Sequence, residues 1–137
     1  MSSGMTPVQF IAKWSKVDLP ERAASQEHFI DLCRLLGQPT PAEHDATGSE
    51  YTFEKGVTVH GPAASRRGPA ADTDADRTTR GYADVWWRGK FGWEYKRQGK
   101  YKSLAEAYRQ LCQYREALEN PPLLVVSDMN RIIVRTN

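Results

Sequence analysis

Apolar and polar positions along this 137-residue chain follow helical spacing at its start, strand alternation in its middle, and each in turn at its end. Thr6-Pro7 places a capping residue before a proline, and Val8, Phe10, Ile11 and Trp14 then share one face, which predicts a short helix to about Lys16. Asp18-Leu19-Pro20-Glu21 opens a second helix to Leu36, with Ala23, Ala24, Phe29, Ile30, Cys33 and Leu36 as its apolar stripe and Gly37 as its stop. Glu43–Ser49 reads as a turn-rich connection and Glu50–Glu54 as a first, alternating strand. Tyr82–Lys96 carries the signature of a β-hairpin, two runs rich in aromatic and β-branched residues around Arg88-Gly89-Lys90. Ser103-Leu104-Ala105-Glu106 is a capping box opening a helix to about Glu119, with Leu104, Tyr108, Leu111, Arg115 and Leu118 on one stripe. Asn120-Pro121-Pro122 ends it. Leu123–Asp128 is apolar enough for a strand buried on both faces, and Arg131–Thr136 alternates as an edge strand. The predicted order is α-α-β-β-β-α-β-β, an α/β chain.

The segment Lys55–Gly81 holds almost no large apolar residue and is expected to be a long flexible loop; Met1–Met5 is expected to be a disordered leader. Residues 6–137 then form a single domain, long enough for a core without staples. Hydrophobic content of 39% and charged content of 26% are those of a soluble protein, and a net charge of +2 permits nucleic acid without arguing for it. Cys33 and Cys112 both fall on helical apolar stripes, so buried free thiols are expected rather than a disulfide. The sequence has no membrane span and no signal peptide, which makes a cytoplasmic protein without membrane partners the expectation.

Chemistry concentrates in the hairpin. A three-residue loop at Arg88–Lys90 puts Trp87 opposite Phe91, Val85 opposite Trp93 and Ala83 opposite Tyr95, so one side is apolar. The other side carries Tyr82, Asp84, Trp86, Gly92, Glu94 and Lys96, with Asp84 facing Glu94. Carboxylates directly across a strand pair have Cβ atoms about 5 Å apart and repel. A hard divalent cation such as Mg²⁺, or Mn²⁺ in its place, would remove the repulsion, with Lys96 pointing at whatever the cation polarises; the alternative is a solvated strand face with an ordinary Glu–Lys pair. The basic connection holding Arg97, Lys100 and Lys102 follows at once, a positive rim suited to a DNA backbone or, equally, a solvated loop.

The pattern Asp84-x9-Glu94-x-Lys96 resembles the signature of the PD-(D/E)xK nuclease superfamily, and Gln110-x-x-x-Tyr114 falls where many members carry a Q-x-x-x-Y motif. The resemblance implies a restriction-endonuclease-like core, a mixed sheet flanked by helices, and an extra acid on the first core helix; Ser25–His28 reads either as a solvated half of that helix or as the stretch from which Glu27, or its neighbour Gln26, points into the site. Longer stretches, ERAASQEHFIDLCRLLGQPTPAE, the ADVW…WEYK hairpin and YRQLCQYREALENPPLLVVSDMNRI, resemble the N-terminal nuclease domain of MmeI-like (type IIL) restriction-modification enzymes, across the chain except Lys55–Gly81. That likeness implies Asp84, Glu94 and Lys96 as the catalytic set, Mg²⁺ held by Asp84, Glu94 and the Tyr95 carbonyl, support from Gln110, Tyr114 and Glu27, and hydrolysis of double-stranded DNA. It also implies methyltransferase and target-recognition domains in the full polypeptide, with S-adenosylmethionine serving those domains alone. Their absence from these residues suggests a truncated product or an excised domain. The rival expectation is a catalytically silent module of the same fold that binds DNA or protein within a DNA methyltransferase polypeptide. Asn120-Pro121-Pro122-Leu123 lacks the aromatic of an amino-methyltransferase motif and ends a helix instead of following a strand, which argues against methyl transfer in this chain.

Overall fold

Caps and turn residues place most of the elements. The computed structural model describes residues 5–17, 21–60, 78–96 and 104–137. Helix α1 (Pro7–Trp14) opens on a reciprocal capping box, in which Thr6 Oγ1 accepts from the Gln9 N–H at 3.1 Å and Gln9 Oε1 accepts from the Thr6 N–H at 3.0 Å. Helix α2 (Glu21–Leu36) stops at Gly37, whose φ of +72° suits a residue without Cβ. A short helix α3 (Pro41–His44) occupies part of the expected turn. Its signal is present in the sequence: Thr40 caps it, Pro41 takes the first position, and Glu43 reaches back to the Thr40 N–H at 2.9 Å.

Strands β1 (Tyr51–His60), β2 (Thr78–Trp87), β3 (Phe91–Tyr95), β4 (Leu123–Ser127) and β5 (Ile132–Thr136) lie in that order in one sheet. Only β3 and β4 run parallel, and helix α4 (Leu104–Gln113) lies between them in the chain, as a parallel connection requires. The mixed α/β class is as expected. The loop boundaries are not: β1 continues to His60 and β2 begins at Thr78, so both ends of the supposed 55–81 loop are paired strand. Backbone pairing such as Thr58↔Arg80 is indifferent to the small and polar side chains that suggest a loop. Residues 61–77 lie outside the described residues, as do 1–4 of the leader and 97–103, which hold Arg97, Lys100, Lys102 and the Ser103 cap.

The sheet is covered on both faces. Phe29 and Cys33 of α2 pack on one face with Tyr51, Val85, Trp93, Tyr95 and Val125. Leu104, Ala107 and Leu111 of α4, with Tyr114 and Leu118, pack on the other against Val57, Ala83, Trp86, Leu124 and Val126. Helix α4 ends at Gln113, earlier than expected; turns follow, and Glu119 and Asn120 take positive φ values of 65° and 49° to swing the chain into β4. The buried face of α2 is rotated from the expected stripe. Ser25 and His28 are inside, whereas Leu36 is 62% exposed. Both cysteines are free, Cys33 buried and Cys112 half-buried. Among the described residues no helix is long and apolar enough to cross a membrane.

Candidate functional site

The hairpin register is the one a three-residue loop dictates, with Trp87↔Phe91, Trp86↔Gly92 and Val85↔Trp93 paired and Gly89 at φ +74° in the turn. The ladder stops there. Asp84 and Glu94, expected to face each other, are not a ladder pair; Asp84 Oδ2 instead accepts the Tyr95 N–H at 2.7 Å. A side-chain oxygen thus takes the donor that a continuing ladder would have given to a backbone carbonyl, and the two strands part.

Side-chain alternation fails at the same point. Val85 belongs to the α2-side cluster and Trp86 to the α4-side cluster, yet Ala83, which strict alternation would place with Val85, lies with Trp86. Strand β1 switches with it. Phe53 packs on the α2 side, while Lys55 Nζ lies over the Trp86 ring at 4.4 Å and Val57 joins the α4 side. Between Phe53↔Val85 and Lys55↔Ala83 the skipped register position is Glu54 and Asp84. Glu54 sits at φ +53°, a left-handed conformation uncommon outside Gly, Asn and Asp.

A pocket of about 250 Å³ opens where the strands part, lined by Ser25 and Gln26 of α2 and by Glu54, Tyr82, Asp84, Glu94, Tyr95 and Lys96. Lys96 Nζ lies 3.3 Å from Glu94 Oε2 and donates to Gln110 Oε1 at 2.9 Å; Gln110 Nε2 in turn donates to the Tyr114 hydroxyl at 3.1 Å. The Gln110 and Tyr114 pair, spaced for neighbouring positions on a helix, is therefore tied directly to Lys96. Tyr114 is buried in the α4-side core with its phenol over Gly81, where any Cβ would collide with the hydroxyl. Gly81→Ala is accordingly expected to destabilise the protein by about 1–3 kcal/mol through overpacking, and urea denaturation should show a smaller loss when Tyr114→Ala has already opened the space.

Tyr95 joins the pocket to the core. Its hydroxyl and His28 Nδ1 share a hydrogen bond of 2.8 Å, and the imidazole is walled by the edges of Phe10, Trp14 and Tyr95 at centroid distances of 4.9–5.3 Å. Burial holds the Tyr95 phenol well above its ordinary pKa and pushes the His28 imidazole down to about 4.

Of the expected site residues, Asp84, Glu94, Tyr95 and Lys96 line one pocket, and Gln110 and Tyr114 brace it. Glu27 does not line it: its carboxylate pairs with Lys13 Nζ at 2.6 Å and its side chain is 54% exposed. Its neighbour Gln26 takes the place in the pocket and donates to Glu54 Oε2 at 3.3 Å. Sequence reasoning misses Glu54, Ser25 and Tyr82 as site residues. Glu54 has the pattern of a strand end, and only the strand pairing reveals that it neighbours Asp84.

Two carboxylates from neighbouring strands and a peptide carbonyl make an all-oxygen donor set, the kind that suits a hard divalent cation. Tyr95 is extended with its N–H toward Asp84, and a strand residue turns its carbonyl to the same side. Among the described residues no three His, Cys, Asp or Glu side chains converge to hold a metal by themselves.

A mixed α/β domain with an acidic, lysine-bearing pocket at a split in its sheet is the class these features define. The chain belongs to the family of the MmeI N-terminal domain, whose family model matches residues 5–135. That membership makes it a module of the restriction-modification kind. No curated protein and no solved structure matches it.

Proposed function

We propose that this domain is the cation-dependent DNA-cleaving module of a restriction-modification enzyme, hydrolysing phosphodiester bonds in double-stranded DNA. The observation that carries the proposal is the convergence of Asp84, Glu94 and Lys96 on one pocket where β2 and β3 part, with Lys96 held by Gln110. Asp84 and Glu94, with the Tyr95 carbonyl, would hold Mg²⁺ or Mn²⁺. Such an ion supplies Lewis-acid charge that polarises a phosphoryl oxygen and makes water more acidic. The Tyr95 N–H fixes the Asp84 carboxylate on the pocket side of the split. Lys96, with Gln110 and Glu94 as partners, would orient the attacking water and donate to the charge that builds on the phosphate. Cytoplasmic DNA and covalently linked methyltransferase and recognition domains complete the reading.

Calorimetric titration of Mg²⁺ and Mn²⁺ into the purified chain tests it, with Asp84→Asn as the control because Asn still accepts from the Tyr95 N–H. Saturable binding that weakens at least about tenfold in the variant is expected. A folded chain that binds neither ion, with DNA present, would overturn the reading in favour of a silent DNA- or protein-binding module. The lack of a self-sufficient three-ligand cluster among the described residues gives that second reading its one point of support.

A further inference from the structure

We infer that Glu54, on β1, is a third acidic residue of this site, acting on the bound cation through a water of its hydration shell. The inference rests on the proposed cation-dependent reading. Its observation is the coordinated break in β1 and β2: both strands lose alternation at one register position, the one skipped in their pairing, where Glu54 and Asp84 fall between Phe53↔Val85 and Lys55↔Ala83. Carboxylates side by side across a strand pair repel, and this arrangement adds a left-handed glutamate to the unfavourable terms. The break turns Glu54 toward α2, where Gln26 Nε2 donates to it at 3.3 Å and both side chains line the pocket with Asp84 and Glu94.

Direct ligation by all three carboxylates is not the geometry of the site, since no three such side chains among the described residues converge to hold a metal. A strongly hydrated ion bound by two carboxylates keeps several waters, and a further carboxylate in the same pocket accepts hydrogen bonds from them. Gln26 sets the orientation of that acceptor from the helix side. The expected consequence is a contribution to cation affinity without a contribution to folding in the cation-free protein.

The test is the same Mg²⁺ and Mn²⁺ calorimetry on the whole chain, with Glu54→Gln and Glu54→Gly, together with thermal melts without added metal. Glu54→Gln is expected to weaken cation binding about 10- to 100-fold, the usual effect of losing an outer-shell carboxylate, and to melt no lower than the parent without metal. Glu54→Gly removes the carboxylate and relieves the positive φ together, so it is expected to melt higher yet bind as weakly as Glu54→Gln. Parent-like affinity in both variants would overturn the role of Glu54 while leaving the cation site standing. Absence of cation binding in the parent would overturn both readings at once.

Discussion

Replacing Lys96 with alanine is expected to lower DNA cleavage at least about 100-fold in a cleavage-competent protein, because in the proposed mechanism the group lost would act on charge that develops only in the transition state. Lys96→Ala should leave Mg²⁺ binding measurable, since the oxygen donors remain. It also removes a cation from beside a buried carboxylate, with the Glu94 and Lys96 side chains 7% and 12% exposed. Breaking a pair so enclosed typically costs about 3 kcal/mol, so the metal-free variant should melt lower, and saturating Mg²⁺ should restore more stability to it than to the parent. Single-turnover cleavage and paired melts with and without Mg²⁺ separate the two effects. A variant that cuts at the parental rate would remove Lys96 from the chemistry. One that loses cutting but gains nothing extra from the cation would deny that the ion and the lysine compensate the same carboxylate. Gln110→Leu offers a milder comparison, because it leaves the charge of Lys96 and the Glu94 pair while removing the Lys96 acceptor and the donor to the Tyr114 hydroxyl; its loss should fall between parent and Lys96→Ala.

Local signals make the hairpin, the helix after it and the strand that follows legible in the amino-acid sequence. Alternation with a three-residue loop fixes register by arithmetic, and the pairs from Val85↔Trp93 to Trp87↔Phe91 follow. Gln110 and Tyr114 are legible for the same reason, since helical spacing is local. What fails is everything that depends on a second strand not adjacent in sequence. Parity counted along one hairpin assumes unbroken alternation, and the break at Asp84 arises from pairing with β1, to which Glu54 contributes a left-handed residue that no propensity favours. The same blindness hides Thr78–Gly81 as strand, because their partner lies some twenty residues back across a polar stretch. Glu27 and Gln26 differ by one position on α2, and helical periodicity alone does not determine which of two adjacent polar residues turns inward. The buried Ala24, Ser25, His28, Phe29 and Cys33 fix the face of α2 that packs inward, and Glu27 pairs outside it with Lys13.

The polar run Ser25–His28 hides the most consequential core residue, and its effect should appear as acid instability. His28 is fully buried, and its Nε2 has no hydrogen-bond partner among the described residues. The charged and titratable groups about it are the Tyr95 hydroxyl, kept neutral by burial, and Asp31, whose carboxylate is already engaged by Lys13 at 2.8 Å and by the Trp14 indole at 2.9 Å. Desolvation outweighs the pull of Asp31 and leaves the imidazole pKa at about 4, against 6.5 for the free side chain. Between those values the unfolded chain binds a proton that the folded one refuses, so stability present above pH 6.5 is lost as pH falls toward 4. The loss should reach about 3 kcal/mol. Asp45, held down to about 2 chiefly by the Glu50 N–H, adds its own loss only below pH 4, in a separate window. Urea denaturation from about pH 7.5 to 4 should therefore slope more steeply for the parent than for His28→Gln, which can still accept from the Tyr95 hydroxyl. Parallel slopes would mean that His28 protonates as readily folded as unfolded. Because Tyr95 lies between Glu94 and Lys96, a parent that loosens below about pH 6 should, if the proposed cation site holds, bind Mg²⁺ more weakly over that range than His28→Gln does.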